Sequence, residues 1–119
     1  MTSVLNVDTI ADKAGTGPVA LTKQYAAKAW VNGDTDASIL DSNNISSSSD
    51  IATGRYQYNF TNSMVNALYA GSGASENGAI IFSINQTDKT ASSYQVRNVT
   101  HANVDIDMKH GSAIHGDLA

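Results

Sequence analysis

The sequence predicts an all-β fold: an antiparallel β-sandwich of about seven short strands, preceded by an extended N-terminal segment. Three observations predict it. From about Ala26 onward, turn-forming residues interrupt the chain roughly every 8–12 positions, the spacing of sandwiches and barrels. Arg55 to Thr61 alternates strictly, with Tyr56, Tyr58 and Phe60 on one face and Arg55, Gln57, Asn59 and Thr61 on the other. Ser, Thr and Asn supply 35 of the 119 residues against 18 charged ones, and 16 residues are alanine. Such a chain suits edges, turns and wet subunit contacts better than a thick core of its own, and association with copies of itself is one remedy.

Two units are expected, an N-terminal arm and linker over residues 1–25 and a β-sandwich over residues 26–119. In the arm, Val4 to Ile10 suits a short strand with apolar residues on both faces. A polar stretch from Ala11 to Pro18, containing two glycines and the only proline, then reads as a turn or linker. Ala27 to Asn32 is the first strand of the body, closed by Asn32-Gly33-Asp34; residues 20–31 also satisfy helical spacings through Leu21, Tyr25 and Ala29, so a short helix before Trp30 stands as the alternative. Ala37 to Ser46 is the second strand, ending in a solvated loop, Ser46-Ser47-Ser48-Ser49-Asp50. Arg55 to Thr61 follows, then the shorter Ala67 to Gly71. Asn77-Gly78 favours a type I′ hairpin, whose central residues both need positive φ. Ile80, Phe82 and Ile84 share a face, as do Tyr94 and Val96, and Val104, Ile106 and Met108 alternate with Asp105, Asp107 and Lys109 in the last strand.

The net charge of −4 and the lack of any basic run leave no footprint for nucleic-acid binding. There is no cysteine, hence no disulfide framework, thiolate metal site or cysteine nucleophile. No apolar run approaches the roughly 20 residues of a membrane span, and the opening Met1 to Asp8 lacks the features of a secretory signal, so synthesis in a cytoplasm is expected. The Asn-X-Ser/Thr triplets at Asn44, Asn59, Asn85 and Asn98 then read as chance in an Asn- and Thr-rich chain.

Few residues group in a way that suggests chemistry. Asp105 and Asp107 would share one strand face, as an acid/base pair, a metal site or, more simply, a solvent-facing stripe. His101, His110 and His115 with Asp117 are the imidazole cluster; the His110-X4-His115 spacing matches no metal motif, and exposed loop and tail histidines are the plainer reading, although on a three-fold axis one histidine per chain supplies three ligands. Gly71 to Gly78 is glycine-rich without the Lys of a P-loop and reads as a surface loop, and no GxSxG elbow is present. No catalytic, cofactor or metal residue is therefore assigned. Among rival readings, a carbohydrate-binding module would need exposed aromatics, for which Tyr25, Tyr69 and Tyr94 are the candidates against core packing. A glycan-cleaving enzyme would need two carboxylates in a cleft, and Glu76 is the single glutamate.

The successions Ala27-Lys28-Ala29-Trp30-Val31-Asn32, Ile39-Leu40-Asp41-Ser42-Asn43-Asn44-Ile45-Ser46-Ser47, Thr53-Gly54-Arg55-Tyr56-Gln57-Tyr58-Asn59-Phe60-Thr61 and Met64-Val65-Asn66-Ala67-Leu68-Tyr69 resemble tail-fibre and related fibre proteins of tailed bacteriophages, marine ones especially. The opening Ser3 to Ile10, with Gly17-Pro18-Val19, resembles the particle-attachment end of such fibres. The resemblance implies a non-enzymatic, homotrimeric structural protein of the virion. Residues 1–18 would dock on another virion protein, and the β-sandwich would contact the host surface, a glycan or a protein. The chain departs from the pattern at Gly33-Asp34, where an aromatic is common, and at Asn43, where an aromatic or Gly is common, and has no long shaft, so a capsid decoration protein, head fibre or adaptor is the alternative position on the particle.

Overall fold

The computed structural model describes residues 26–78 and 80–119 of the chain. The expected strand Val4–Ile10, the link through Pro18, Tyr25 and most of the helical alternative over residues 20–31 lie outside the described residues. Among the described residues there is no helix, and eight strands form: β1 Ala29–Gly33, β2 Ile39–Asn43, β3 Ile45–Ala52, β4 Arg55–Phe60, β5 Ala70–Ser75, β6 Ile80–Ile84, β7 Ser93–Thr100 and β8 His110–His115. They make two four-stranded sheets, ordered β2-β1-β8-β5 and β3-β4-β7-β6, with every pairing antiparallel. The two sheets pack together as the expected sandwich.

Period-2 alternation decides which side chains meet between the sheets. On β4, Tyr56, Tyr58 and Phe60 are buried, and β4 is a central strand, so the face read from the sequence is the inner one. Phe82 and Ile84 of β6 and Tyr94 and Val96 of β7 join them from the same sheet. Each large side chain buried there stabilises by about 1.5–3 kcal/mol relative to exposure.

The first sheet contributes little bulk in return. Its inner positions are Ala29, Val31 and Gly33 on β1, Gly71 and Gly73 on β5, and His110, Ser112 and Ile114 on β8. A Cβ on Gly71 would run into Ile84 and Ile114, and one on Gly73 would lie 2.6 Å from a Phe82 ring carbon. Close packing thus matches large residues of one sheet to small residues of the other.

This asymmetry overturns several expectations. Gly71 to Ser75 is not a surface loop but β5, since glycine there makes room for Phe82 and Ile84. Ser46 to Asp50 is likewise not a loop. The four serines form half of β3, paired along β4, with the Ser46 hydroxyl donating to the Asn59 carbonyl at 3.2 Å and that of Ser48 to the Ala37 carbonyl at 2.6 Å. The segment read as one strand from Ala37 to Ser46 breaks at Asn44, whose positive φ of 58° turns the chain from the first sheet to the second. This division contributes to the count of eight strands.

Asn77-Gly78 does not make a type I′ hairpin. It connects strands of different sheets, and neither residue is among those with positive φ, which are Ala37, Asn44, Gly54 and Asn103. Val104 to Met108 is not the last strand. It belongs to a loop over residues 101–109 that lies against β7 through a single bridge, Val99 to Asp105, and through the Ile106 N–H to the Asn98 carbonyl at 3.2 Å. The last strand is β8, which pairs with β1 and β5 at the centre of the first sheet.

Candidate functional site

The outward residues of β4 and β7 are fixed by the same alternation that buries their tyrosines. Register sets Gln57 opposite Gln95, Asn59 opposite Ser93, and Arg55 opposite Arg97. The outer face of the second sheet is therefore a polar ladder. Asn59 donates to the Ser47 hydroxyl at 2.9 Å, Gln57 donates to the Asn59 side-chain oxygen at 3.1 Å, and Gln95 donates to Gln57 at 3.4 Å.

The ladder ends in the two arginines. Like charges directly opposite one another on paired strands destabilise a sheet. Here Asp105, carried over β7 by the 101–109 loop, offsets part of that repulsion: Arg97 Nε donates to its carboxylate at 2.6 Å, and Arg55 Nε lies 3.9 Å away. The hydrogen bond from Arg97, together with the two guanidinium charges, holds the Asp105 carboxyl below the usual carboxylate range. Beside the arginines is an open cavity of about 300 Å³, lined also by Ser83, Asn85, Gln86 and Gln95.

Asp107 does not share a strand face with Asp105, and the two carboxylates have separate structural tasks. Asp107 accepts from the Gly54 backbone N–H at 2.7 Å and from the Tyr56 hydroxyl at 3.1 Å, fastening the 101–109 loop to the β3–β4 turn. Burial and that carboxylate together push the Tyr56 phenol upward.

The three histidines are not brought together. His101 and His115 are exposed, whereas His110 is buried, contrary to the loop-histidine expectation. His110 and His115 stand at opposite ends of β8. The His110 ring stacks on Tyr56 with centroids 4.6 Å apart, and burial lowers its basicity despite the bond to the Met108 carbonyl. Among the described residues, no group of three or more His, Asp or Glu side chains is placed to hold a metal ion.

Tyr69 and Tyr94 are packed in the core and offer no aromatic platform. Burial pushes each phenol up to about 12. Tyr94 exchanges a 2.8 Å hydrogen bond with Ser112, and Tyr69 donates to the Ser93 carbonyl at 2.8 Å. Glu76 lies at the rim of a cavity of about 390 Å³ with Lys109 and no second carboxylate. Asn98 is wholly buried and bonded through its side chain to Ser75, so its triplet is inaccessible to a glycan in the folded chain.

The outer face of the first sheet has a different character. Along β1, β8 and β5 it presents Trp30 and Asn32, Gly111 and Ala113, and Ala70, Ser72 and Ala74, with His115 at one end. Trp30 is 37 % exposed and sits opposite Ala113. No Asp, Glu, Lys or Arg stands on that face of these three strands, and on the edge strand β2 the same face carries Asp41, opposite Asn32. Neither this face nor the arginine pair was assigned from the sequence. The alternation of β4 had marked Arg55 as outward, but only register brings Arg97 to it.

Comparison with protein-family models, with curated proteins and with solved structures gives no match.

Proposed function

We propose that the chain is a non-enzymatic structural protein of a bacteriophage particle, a short fibre that assembles as a homotrimer, attaches to the particle through residues 1–18, and displays its β-sandwich for contact with a host surface. The sequence resemblance to phage fibres suggests the class. The observation that carries the assembly reading is the uncharged outer face of β1, β8 and β5. Interface cores are depleted of charge and enriched in aromatics, and a sheet face of Gly, Ala and Ser beside one half-exposed Trp lets another backbone approach closely.

The direction of the chain then orients the fibre. β1 begins at Ala29, at the end of the sandwich that also carries the Asn44 turn, where the Asn44 side chain donates to the Lys28 and Asn62 carbonyls. An N-terminal attachment puts this end toward the particle. The opposite end, with the 34–38 and 101–109 loops, faces outward.

Native mass spectrometry tests the assembly. A trimer is expected at micromolar concentration, and Trp30→Glu, which buries a charge at the proposed contact, is expected to yield folded monomer. A parent chain that stays monomeric at that concentration overturns the reading.

A further inference from the structure

The outer face of the second sheet carries a feature that assembly through the first sheet does not use. Arg55 and Arg97 are direct cross-strand partners, and they share one carboxylate, Asp105. Two guanidiniums on one carboxylate leave a surplus positive charge in a chain whose net charge is −4. Both arginines are partly open to solvent, with side-chain exposures of 44 % and 34 %, and both line the cavity of about 300 Å³. That volume is at the lower end of the range for small-ligand pockets, of the size of one or two sugar rings.

We propose that this cavity binds an acidic saccharide, its carboxylate taken by Arg55 and Arg97 and its hydroxyls by the polar groups beside them. The planar guanidinium fork matches a carboxylate in two parallel hydrogen bonds, and a pair of forks on adjacent strands gives it a fixed seat. Asp105 orients one member of the pair, since its bond to Arg97 Nε fixes that side chain over the sheet. A ligand carboxylate supplies the second negative charge and relieves the cross-strand repulsion.

A bare anion would use the arginines alone. The rest of the lining argues for a saccharide: the Gln95 and Gln86 amides and the Ser83 hydroxyl offer both donors and acceptors, as a ring of hydroxyls requires. Besides Asp105, one further carboxylate is bonded to a lining residue: Asp88 accepts a hydrogen bond from the Asn85 amide at 2.5 Å.

The binding site belongs to the single folded chain, so its test is separate from that of the fibre reading: a failed trimer leaves it standing, and failed binding leaves the trimer standing. Digalacturonate, its dimethyl ester and acetate are titrated into the isotope-labelled full chain, followed by amide chemical shifts. Digalacturonate is expected to move the signals of Arg55, Ser83, Gln95 and Arg97, with the ester and acetate each at least about tenfold weaker. Arg55→Gln, which leaves the Arg97–Asp105 bond in place and should keep the parent melting curve, is expected to weaken binding by at least about tenfold, with Arg55→Lys intermediate because it keeps the charge and loses the fork. No shift at these residues up to about 10 mM overturns the proposal, because even weak single-site binding registers in that range. An equal response to the ester, an equal response to acetate, or unchanged affinity in a folded Arg55→Gln variant also overturns it.

Discussion

The Tyr58 hydroxyl lies 2.6 Å from Nε2 of His110, a buried hydrogen bond that crosses the sandwich from β4 of one sheet to β8 of the other. The other ring nitrogen fixes its sense. His110 Nδ1 is 2.8 Å from the Met108 carbonyl, which can only accept, so Nδ1 carries the proton and Nε2 takes the one from Tyr58. Gly33 makes the approach possible, because a Cβ there would overlap the Tyr58 oxygen and come within 3.0 Å of Nε2. Neutral imidazole satisfies every partner. The imidazolium does not, since Nε2 would become a donor, and the Tyr58 hydroxyl would have to accept and turn its own proton off this buried bond.

Stability should accordingly fall in acid through His110. Burial sets its folded pKa below the unfolded value of about 6.5. Between those two values the unfolded chain binds the extra proton, so the contribution is complete above about pH 6.5 and is lost as pH falls from there through the folded pKa. Urea melts from about pH 7.5 to about pH 5 should show a declining midpoint, and His110→Gln should flatten that decline. A parent midpoint constant over the range would mean that the ring is not held neutral.

Phe60 tests the core itself. It is buried, lies edge-on to Tyr69 with centroids 5.6 Å apart, and stacks on Tyr94 at the same distance. Phe60→Ala should cost about 3–5 kcal/mol in a denaturant melt, since Tyr94 belongs to a paired strand and Tyr69 is tied through its hydroxyl to the Ser93 carbonyl, so neither ring collapses into the gap. A cost below about 1 kcal/mol would contradict its place in the core.

The contrast between β4 and β8 shows what could be read from the sequence. β4 announces itself because its inner positions hold Tyr56, Tyr58 and Phe60, large residues at strict alternation. β8 runs His-Gly-Ser-Ala-Ile-His, with His110, Ser112 and Ile114 inward, and has no hydrophobic period to detect. Two of its three inner positions, His110 and Ser112, are polar because the side chains opposite, Tyr58 and Tyr94, reach across with hydroxyls that need partners. The same complementarity hid β5 behind glycines. In the reverse case, Val104, Ile106 and Met108 alternate like a strand, yet the edge of β7 beyond Arg97, where its pairing with β4 ends, offers one bridge rather than a ladder. The arginine pair was half legible: alternation gives the outward face of each strand, whereas register is set by tertiary pairing that one strand does not encode.

Gly54 should be the least replaceable position in the β3–β4 turn. Its φ is +69°, and a Cβ would lie 2.6 Å from the Asn98 carbonyl oxygen and 2.7 Å from the Ile106 nitrogen, backbone atoms that cannot turn aside. The left-handed conformation alone costs a non-glycine residue about 1–3 kcal/mol. Gly54→Ala should exceed that range, because the collision also pushes away the 101–109 loop that Asp107 fastens to the Gly54 N–H. Hydrogen exchange should find the Ile106 and Gly54 amides deprotected. If the variant melts within about 0.5 kcal/mol of the parent, the loop does not sit on the turn.

The arm over residues 1–18 gives the last prediction, and it bears on the proposed attachment. Val4, Leu5, Val7 and Ile10 suit a strand with apolar residues on both faces, which needs cover from two sides. Gly15-Thr16-Gly17-Pro18 follows, and Pro18 cannot donate to a ladder. Such a strand is suited to extend the exposed sheet edge of a partner, where backbone hydrogen bonds supply affinity and pockets for alternate side chains supply specificity. The body has its own closure: β1 and β8 pair, β4 and β7 pair, and the core cluster runs from Ala29 to Leu118. Deleting residues 1–18 should therefore leave the melting temperature and the oligomeric state of the body nearly unchanged while abolishing its incorporation into particles. A deletion that unfolds the body would place the segment in the core and remove the attachment role.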